Sequence, residues 1–98
     1  MIHHVVCLRF KPGTPESAIE EAGRALVGME RGIPEIRGLR WGPNLATGTV
    51  GEYSHVLVVM VDDLAAVDRY LAHPVHQATV ARHVAPIREA RLALDIEV

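Results

Sequence analysis

The stretch YSHVLVVMV, Tyr53 to Val61, decides the fold. It reads as a strand with His55, Leu57, Val59 and Val61 on one face and Val56, Val58 and Met60 on the other. Both faces are apolar, so both must be covered. Helices can cover one of them. What covers the other is the central question of the architecture.

Working outward, the opening segment MIHHVVCLRFK alternates in the same way. Ile2, His4, Val6, Leu8 and Phe10 share one face, and His3, Val5, Cys7 and Arg9 the other. Pro12-Gly13 ends this strand. Thr14 then offers an N-cap, with Pro15 at the first helical position and Glu16 in the first turn. Ala18, Ile19, Ala22, Ala25, Leu26 and Met29 follow at helical spacing, predicting an amphipathic helix that ends near Gly32. Its inward face is small at Ala22, Gly23 and Ala25, so either the sheet approaches closely there or space is left open. IPEIRGLRWGPN begins with a turn and becomes a second strand, with Leu39 and Trp41 on a common face. LATGTVGE, residues 45–52, is a glycine-containing loop.

After Tyr53–Val61, Asp62 or Asp63 caps a helix whose apolar face is Leu64, Val67, Tyr70 and Leu71. Pro74 breaks or restarts it, and a second helical piece runs through Val75, Ala78, Thr79 and Val84 to Pro86. ARLALDIEV alternates again, with Leu92, Leu94, Ile96 and Val98 on one face. The order βαββαβ predicts an α+β, ferredoxin-like fold in a single domain, 1–98, with one antiparallel sheet and both helices on one face. The other face then shows Val56, Val58 and Met60 together with Val5 and Cys7. An apolar face of that kind is rare on a soluble monomer. A second copy packed sheet against sheet, as an isologous homodimer, is the economical cover.

Bulk properties exclude several classes. A net charge of -2 without a basic block gives no footprint for nucleic acid. No apolar run approaches the ~20 residues of a membrane span, and no signal-peptide pattern is present. One cysteine, Cys7, excludes an internal disulfide and points to a reducing compartment, so a cytoplasmic location is expected.

The chain carries six histidines, and their positions matter more than their number. His4 lies on the apolar, helix-facing side of the first strand, where a lone histidine is ordinarily a core residue with satisfied nitrogens. His55 repeats the pattern on the third strand. Two imidazoles beneath the same helices argue for a polar spot in an apolar space, and each needs a partner, a water or a ligand. Tyr70, His73 and His76 are spaced three apart, so they are neighbours at helical pitch. They read either as a proton-transfer pair or as a helix end whose histidines meet its dipole. The HxxH spacing lacks the glutamate and the i, i+4 geometry of a zinc helix, so no metal is expected. Cys7 lacks an adjacent base and reads as a buried or interface thiol. Trp41 with Leu39 is either core or a pocket wall.

At IHHVVCLRFKPGT, IPEIRGLRWGPN and YLAHPVHQATVARHVAPI the chain resembles the Dabb family, the stress-responsive A/B barrel domain. The HPxH of His73, Pro74 and His76 after Tyr70 is the sharpest element, supported by His4. The resemblance implies a dimeric α+β barrel of two ferredoxin-like subunits. Its best-understood members are plant polyketide cyclases of the olivetolic acid cyclase type, which close a polyketide by aldol condensation without a metal or organic cofactor. By that resemblance His76 and Tyr70 are catalytic, and His4, His55 and His73 line a cavity between helices and sheet. Leu26, Leu39, Trp41, Leu57 and Thr79 complete the expected substrate lining. The aromatic walls of those cyclases are replaced here by Ala22, Gly23, Leu26 and Thr79, so the same substrate is not expected. Three functions follow as expectations: acid–base chemistry on a small carbonyl compound, a non-catalytic ligand-binding or stress-associated assembly protein, and, by fold analogy alone, a cofactor-independent monooxygenase.

Overall fold

A computed structural model of the chain describes residues 1–46 and 52–98. The glycine-containing loop expected over 45–52 therefore falls largely on residues 47–51, outside the described residues. The elements are β1 (Ile2–Phe10), α1 (Glu16–Gly28), β2 (Gly38–Pro43), β3 (His55–Val61), α2 (Leu64–Ala72), α3 (Pro74–Thr79) and β4 (Arg88–Glu97). A 3-10 turn, Met29–Arg31, extends α1, and a five-residue π turn, Val80–Val84, extends α3. The strands form one antiparallel sheet in the order β2-β3-β1-β4. This is the ferredoxin-like α+β fold that the alternation predicts.

β1 is hydrogen-bonded along both edges, and its register fixes what faces what. His4 lies opposite Val59 on β3 and Asp95 on β4, while Leu8 lies opposite His55 and Arg91. Residues directly opposite in a sheet share a face. Ile2, His4, Val6, Leu8 and Phe10 are buried under the helices with Leu57, Val59 and Val61. A β-turn follows, closed by Thr14 N–H to the Lys11 carbonyl at 3.1 Å. Gly13 stands at φ 80 within it, a left-handed position that suits glycine.

Two helix starts differ from expectation. Thr14 does not cap α1, because its hydroxyl donates back to the Lys11 carbonyl at 2.6 Å and belongs to the turn. Pro15 takes the cap position without a side-chain bond. At α2 the ambiguity resolves to Asp63, whose carboxylate accepts from Ala66 N–H at 2.8 Å. Asp62 is engaged by the Arg37 guanidinium instead. Leu64, expected on the apolar face of α2, is 61% exposed, because the helix buries Ala66, Val67 and Tyr70.

The small face of α1 answers the question that it raised. The Trp41 indole packs directly on Gly23, where a Cβ would overlap Nε1 and come within 2.8 Å of Cε2. The sheet therefore approaches α1 through one aromatic side chain. On the far side of the sheet, among the described residues, no helix lies over the face carrying Val5, Cys7, Val56, Val58 and Met60. β4 adds Leu92, Leu94 and Ile96 to this face, at 43%, 55% and 54% exposure. Among the described residues no helix is long and apolar enough to cross a membrane.

Gly23→Ala should lower stability by about 1–3 kcal/mol through overpacking against the indole. The loss should appear as a reduced denaturation midpoint together with altered emission from Trp41, the single tryptophan. An unchanged midpoint would show that the indole yields without cost.

Candidate functional site

The site begins with a backbone interruption. A proline ring disfavours helical geometry in the residue before it, and His73 accordingly is extended, at φ -64 and ψ 135. α2 stops at Ala72, and Pro74 occupies the first position of α3, where its missing N–H costs nothing. In an unbroken helix the Leu71 carbonyl would accept from Val75 N–H. Here the Val75 N–H donates to Nδ1 of His73 at 3.1 Å. The Leu71 carbonyl accepts instead from Nδ1 of His76, also at 3.1 Å.

These two bonds assign opposite tautomers to the two neutral rings. A carbonyl can only accept, so Nδ1 of His76 carries the proton and Nε2 keeps its lone pair. Nδ1 of His73 accepts, so its proton sits on Nε2. In its neutral form His76 thereby keeps an unprotonated Nε2, and His73 caps α3. Pro74 produces both arrangements by breaking the helix.

His76 packs against Tyr70, with ring centroids 4.6 Å apart, and Tyr70 in turn meets His4 edge to face at 5.9 Å. Tyr70 is 1% exposed. Among the described residues none hydrogen-bonds its hydroxyl. His4, 3% exposed, donates from Nδ1 to the Asp95 carboxylate at 2.7 Å. That bond fixes its ring and leaves Nε2 as the second nitrogen of the cluster. Burial raises the pKa of the Tyr70 phenol well above its ordinary value, opposed by the positive charge of Arg91. Burial also lowers the pKa of His76, and the Leu71 carbonyl, His4 and Arg91 modify it further. The phenol is therefore neutral and a donor, and the imidazole favours its neutral form.

His55 is not part of this cluster. It stacks on Trp41 with centroids 5.2 Å apart, meets Phe10 edge to face at 5.4 Å, and lies 2.9 Å from Ser54 Oγ through Nδ1. By register it is four residues from His4, roughly 13 Å along the sheet. The shared polar spot expected from the two strand histidines is thus two separate environments, each with protein partners. Leu26, Leu39 and Leu57 are buried in the core, Trp41 is half-buried against it, and Thr79 is half-buried at the end of α3. Among the described residues, one cleft of about 410 Å³ is walled by Trp41 and Gly23, and another of about 570 Å³ includes Asp95. Neither of these two clefts is lined by Tyr70 or His76. Among the described residues no cluster of metal-ligating side chains forms.

Asp95 and Arg91 are the two members that the sequence reading passed over. The signal was present in ARLALDIEV, whose alternation puts Arg91, Ala93, Asp95 and Glu97 on the face opposite its leucines. The sequence reading followed only the apolar half of that strand. Antiparallel pairing of the chain's first and last strands then places Asp95 beside His4.

Burial lowers the pKa of both His55 and His76. Such a group binds more protons in the unfolded chain, so its contribution is complete above about pH 6.5 and declines as pH falls through that value. Denaturation midpoints should therefore decline as pH is lowered below about 6.5, and His76→Gln should flatten part of that decline. Identical slopes in the two proteins would refute the assignment to His76.

Comparison with known proteins adds the family. The model of the stress responsive A/B barrel domain, Dabb, matches residues 2–98. Olivetolic acid cyclase of Cannabis sativa is 26% identical over 76 residues, which are 76% of this chain and 75% of that protein. A stress-response A/B barrel domain-containing protein of Arabidopsis thaliana is also 26% identical over 76 residues, 76% of this chain and 70% of its own. A dimeric ferredoxin-like protein of unknown function from Jannaschia superimposes with a TM-score of 0.80 at 31% identity, over 99% of this chain and 98% of that one. Hydroxynitrile lyase from Passiflora edulis superimposes with a TM-score of 0.86 over 99% and 92%, at 17% identity, a likeness of fold alone. On the match over residues 2–98, the chain belongs to the Dabb family.

Proposed function

We propose that Tyr70, His76 and His4 carry out acid–base chemistry on a small carbonyl compound. The observation that carries this reading is the bond from His76 Nδ1 to the Leu71 carbonyl, which presents a lone pair at Nε2 beside a buried phenol. In the proposed step Nε2 takes a proton from a carbon flanked by two carbonyl groups. The electron pair moves onto a carbonyl oxygen as an enolate, and Tyr70 O–H donates to that oxygen. The enolate carbon then bonds to a second carbonyl carbon, and the proton held by His76 passes to the oxygen created there. Retro-aldol cleavage runs the same transfers in reverse. The step needs no group beyond these side chains. His4, fixed by Asp95, holds the substrate or an ordered water, and His73 supports the geometry as the cap of α3.

The relatives support this direction, since one is a cyclase and a protein of the same fold is a lyase. A homodimer belongs to the same proposal. The open sheet face is apolar on all three strands β1, β3 and β4, and structurally similar proteins are described as dimeric. The site lies on the opposite face of the sheet, one in each protomer. In this reading Leu26, Leu39 and Leu57 act through the core, and Trp41, His55 and Thr79 line its margins.

A second reading is favoured by the packing of the three rings against one another. It is a non-catalytic, stress-associated protein that binds a small ligand or joins an assembly. Hydrogen–deuterium exchange into acetylacetone, followed by NMR, separates the two. The acid–base reading expects protein-dependent exchange that falls by about 100-fold or more in His76→Ala and by less in Tyr70→Phe. Exchange retained in a folded His76→Ala protein would remove His76 from the role, and ligand binding without exchange would favour the second reading. Val58→Asp, which places a charge on the open face, should shift the mass measured by light scattering from dimer to monomer.

A further inference from the structure

The charged side of β4 carries a consequence for the substrate. Arg91 lies opposite Leu8 of β1 and shares the helix-facing side of the sheet with His4 and Asp95. Its side chain is exposed, and among the described residues no carboxylate pairs with it. Asp95, the carboxylate of the site, is committed to His4 and stands four residues away, roughly 13 Å along the strand. Glu97 is two residues farther off. Glu89, nearer in sequence, is bound to Arg9. The guanidinium thus shares the helix-facing side of the sheet with the cluster, near enough for its charge to act on Tyr70 and His76, and among the described residues no ion pair occupies its five donors.

We propose that Arg91 selects substrates bearing a carboxylate, so that the site takes a small oxo acid with its carbonyl end at Tyr70 and His76. The proposal rests on the acid–base reading for the placement of the carbonyl end, and on β4 for the anion. A planar guanidinium receives a carboxylate through two parallel hydrogen bonds, which orients the molecule as well as holding it. The electrostatics agree, since the charge of Arg91 opposes the rise at Tyr70 and adds to the lowering at His76. The same charge stabilises an enolate that forms between them. Arg91 is a specificity residue in this account, and the proton transfers remain with His76 and Tyr70.

The test compares acetoacetate with its methyl ester, which has the same carbonyl groups and no charge. Binding is followed by calorimetry and by the ring signals of His76 in NMR spectra of the full chain. Acetoacetate should bind at least about tenfold more tightly than the ester, as charge-assisted pairing requires. Arg91→Gln should bring acetoacetate down to the level of the ester and leave the ester unchanged, and Arg91→Lys should restore part of the difference. Equal binding of the two compounds by the native protein overturns the proposal. So does a preference that survives in Arg91→Gln, or no binding of either at millimolar concentration. His76→Ala keeps the two readings apart. Loss of exchange with the anion preference intact supports both, whereas loss of the preference in that variant means that Arg91 is not its source.

Discussion

Everything in this molecule hangs on the double pairing of β1. Its two ladders hold β3 on one side and β4 on the other, so each of its residues is committed either to the helix layer or to the open face. A slip of one residue would send the whole set through the sheet. His4 would then face away from the helices, and Asp95 would lose the imidazole that it orients. The bulky set Ile2, Val6, Leu8 and Phe10 holds the register by being buried together. The site is thus positioned by hydrophobic packing in a strand most of whose side chains take no part in chemistry.

The second determinant is local and covalent. Pro74 ends one helix and starts the next, which frees a carbonyl and an amide at the same point in the chain. Two imidazoles satisfy them, one as acceptor and one as donor. Hydrogen-bond satisfaction at a helix break and the choice of tautomer at two imidazoles are here one event. The HPxH pattern therefore has a physical content that its individual residues lack. The proline makes the groups available, and the two histidines take them in opposite protonation patterns.

Much of this was legible beforehand, and the reasons for the remainder are specific. Alternation in β1 and β3 carried the sheet, the faces and the uncovered side, because a period of two leaves little freedom once both strands are apolar. Thr14 misled because a cap and a turn use the same hydroxyl, and the choice depended on Pro12-Gly13 closing first. Leu64 misled because Asp63 sets the phase of α2 and rotates the first residue outward. The small face of α1 could not say whether it meant contact or space until Trp41 was placed on Gly23. Asp95 and Arg91 were missed because the leucines of β4 drew attention to the wrong half of an alternating strand. The tautomers of His73 and His76 were beyond reach, since they depend on which backbone groups the break releases.

β4 also has a kinetic meaning. It is an edge strand, paired among the described residues only to β1, yet it carries both Asp95 and Arg91. Opening it severs a single ladder and leaves Tyr70 and His76 on their helices. Openings confined to one edge of a structure cost less than global unfolding. The protein can therefore lose its electrostatic arrangement by a partial opening, far short of global unfolding, and the amides of Arg88–Glu97 would exchange with solvent in step with that loss. A partner that stiffens this edge would hold the charges in place without touching either imidazole.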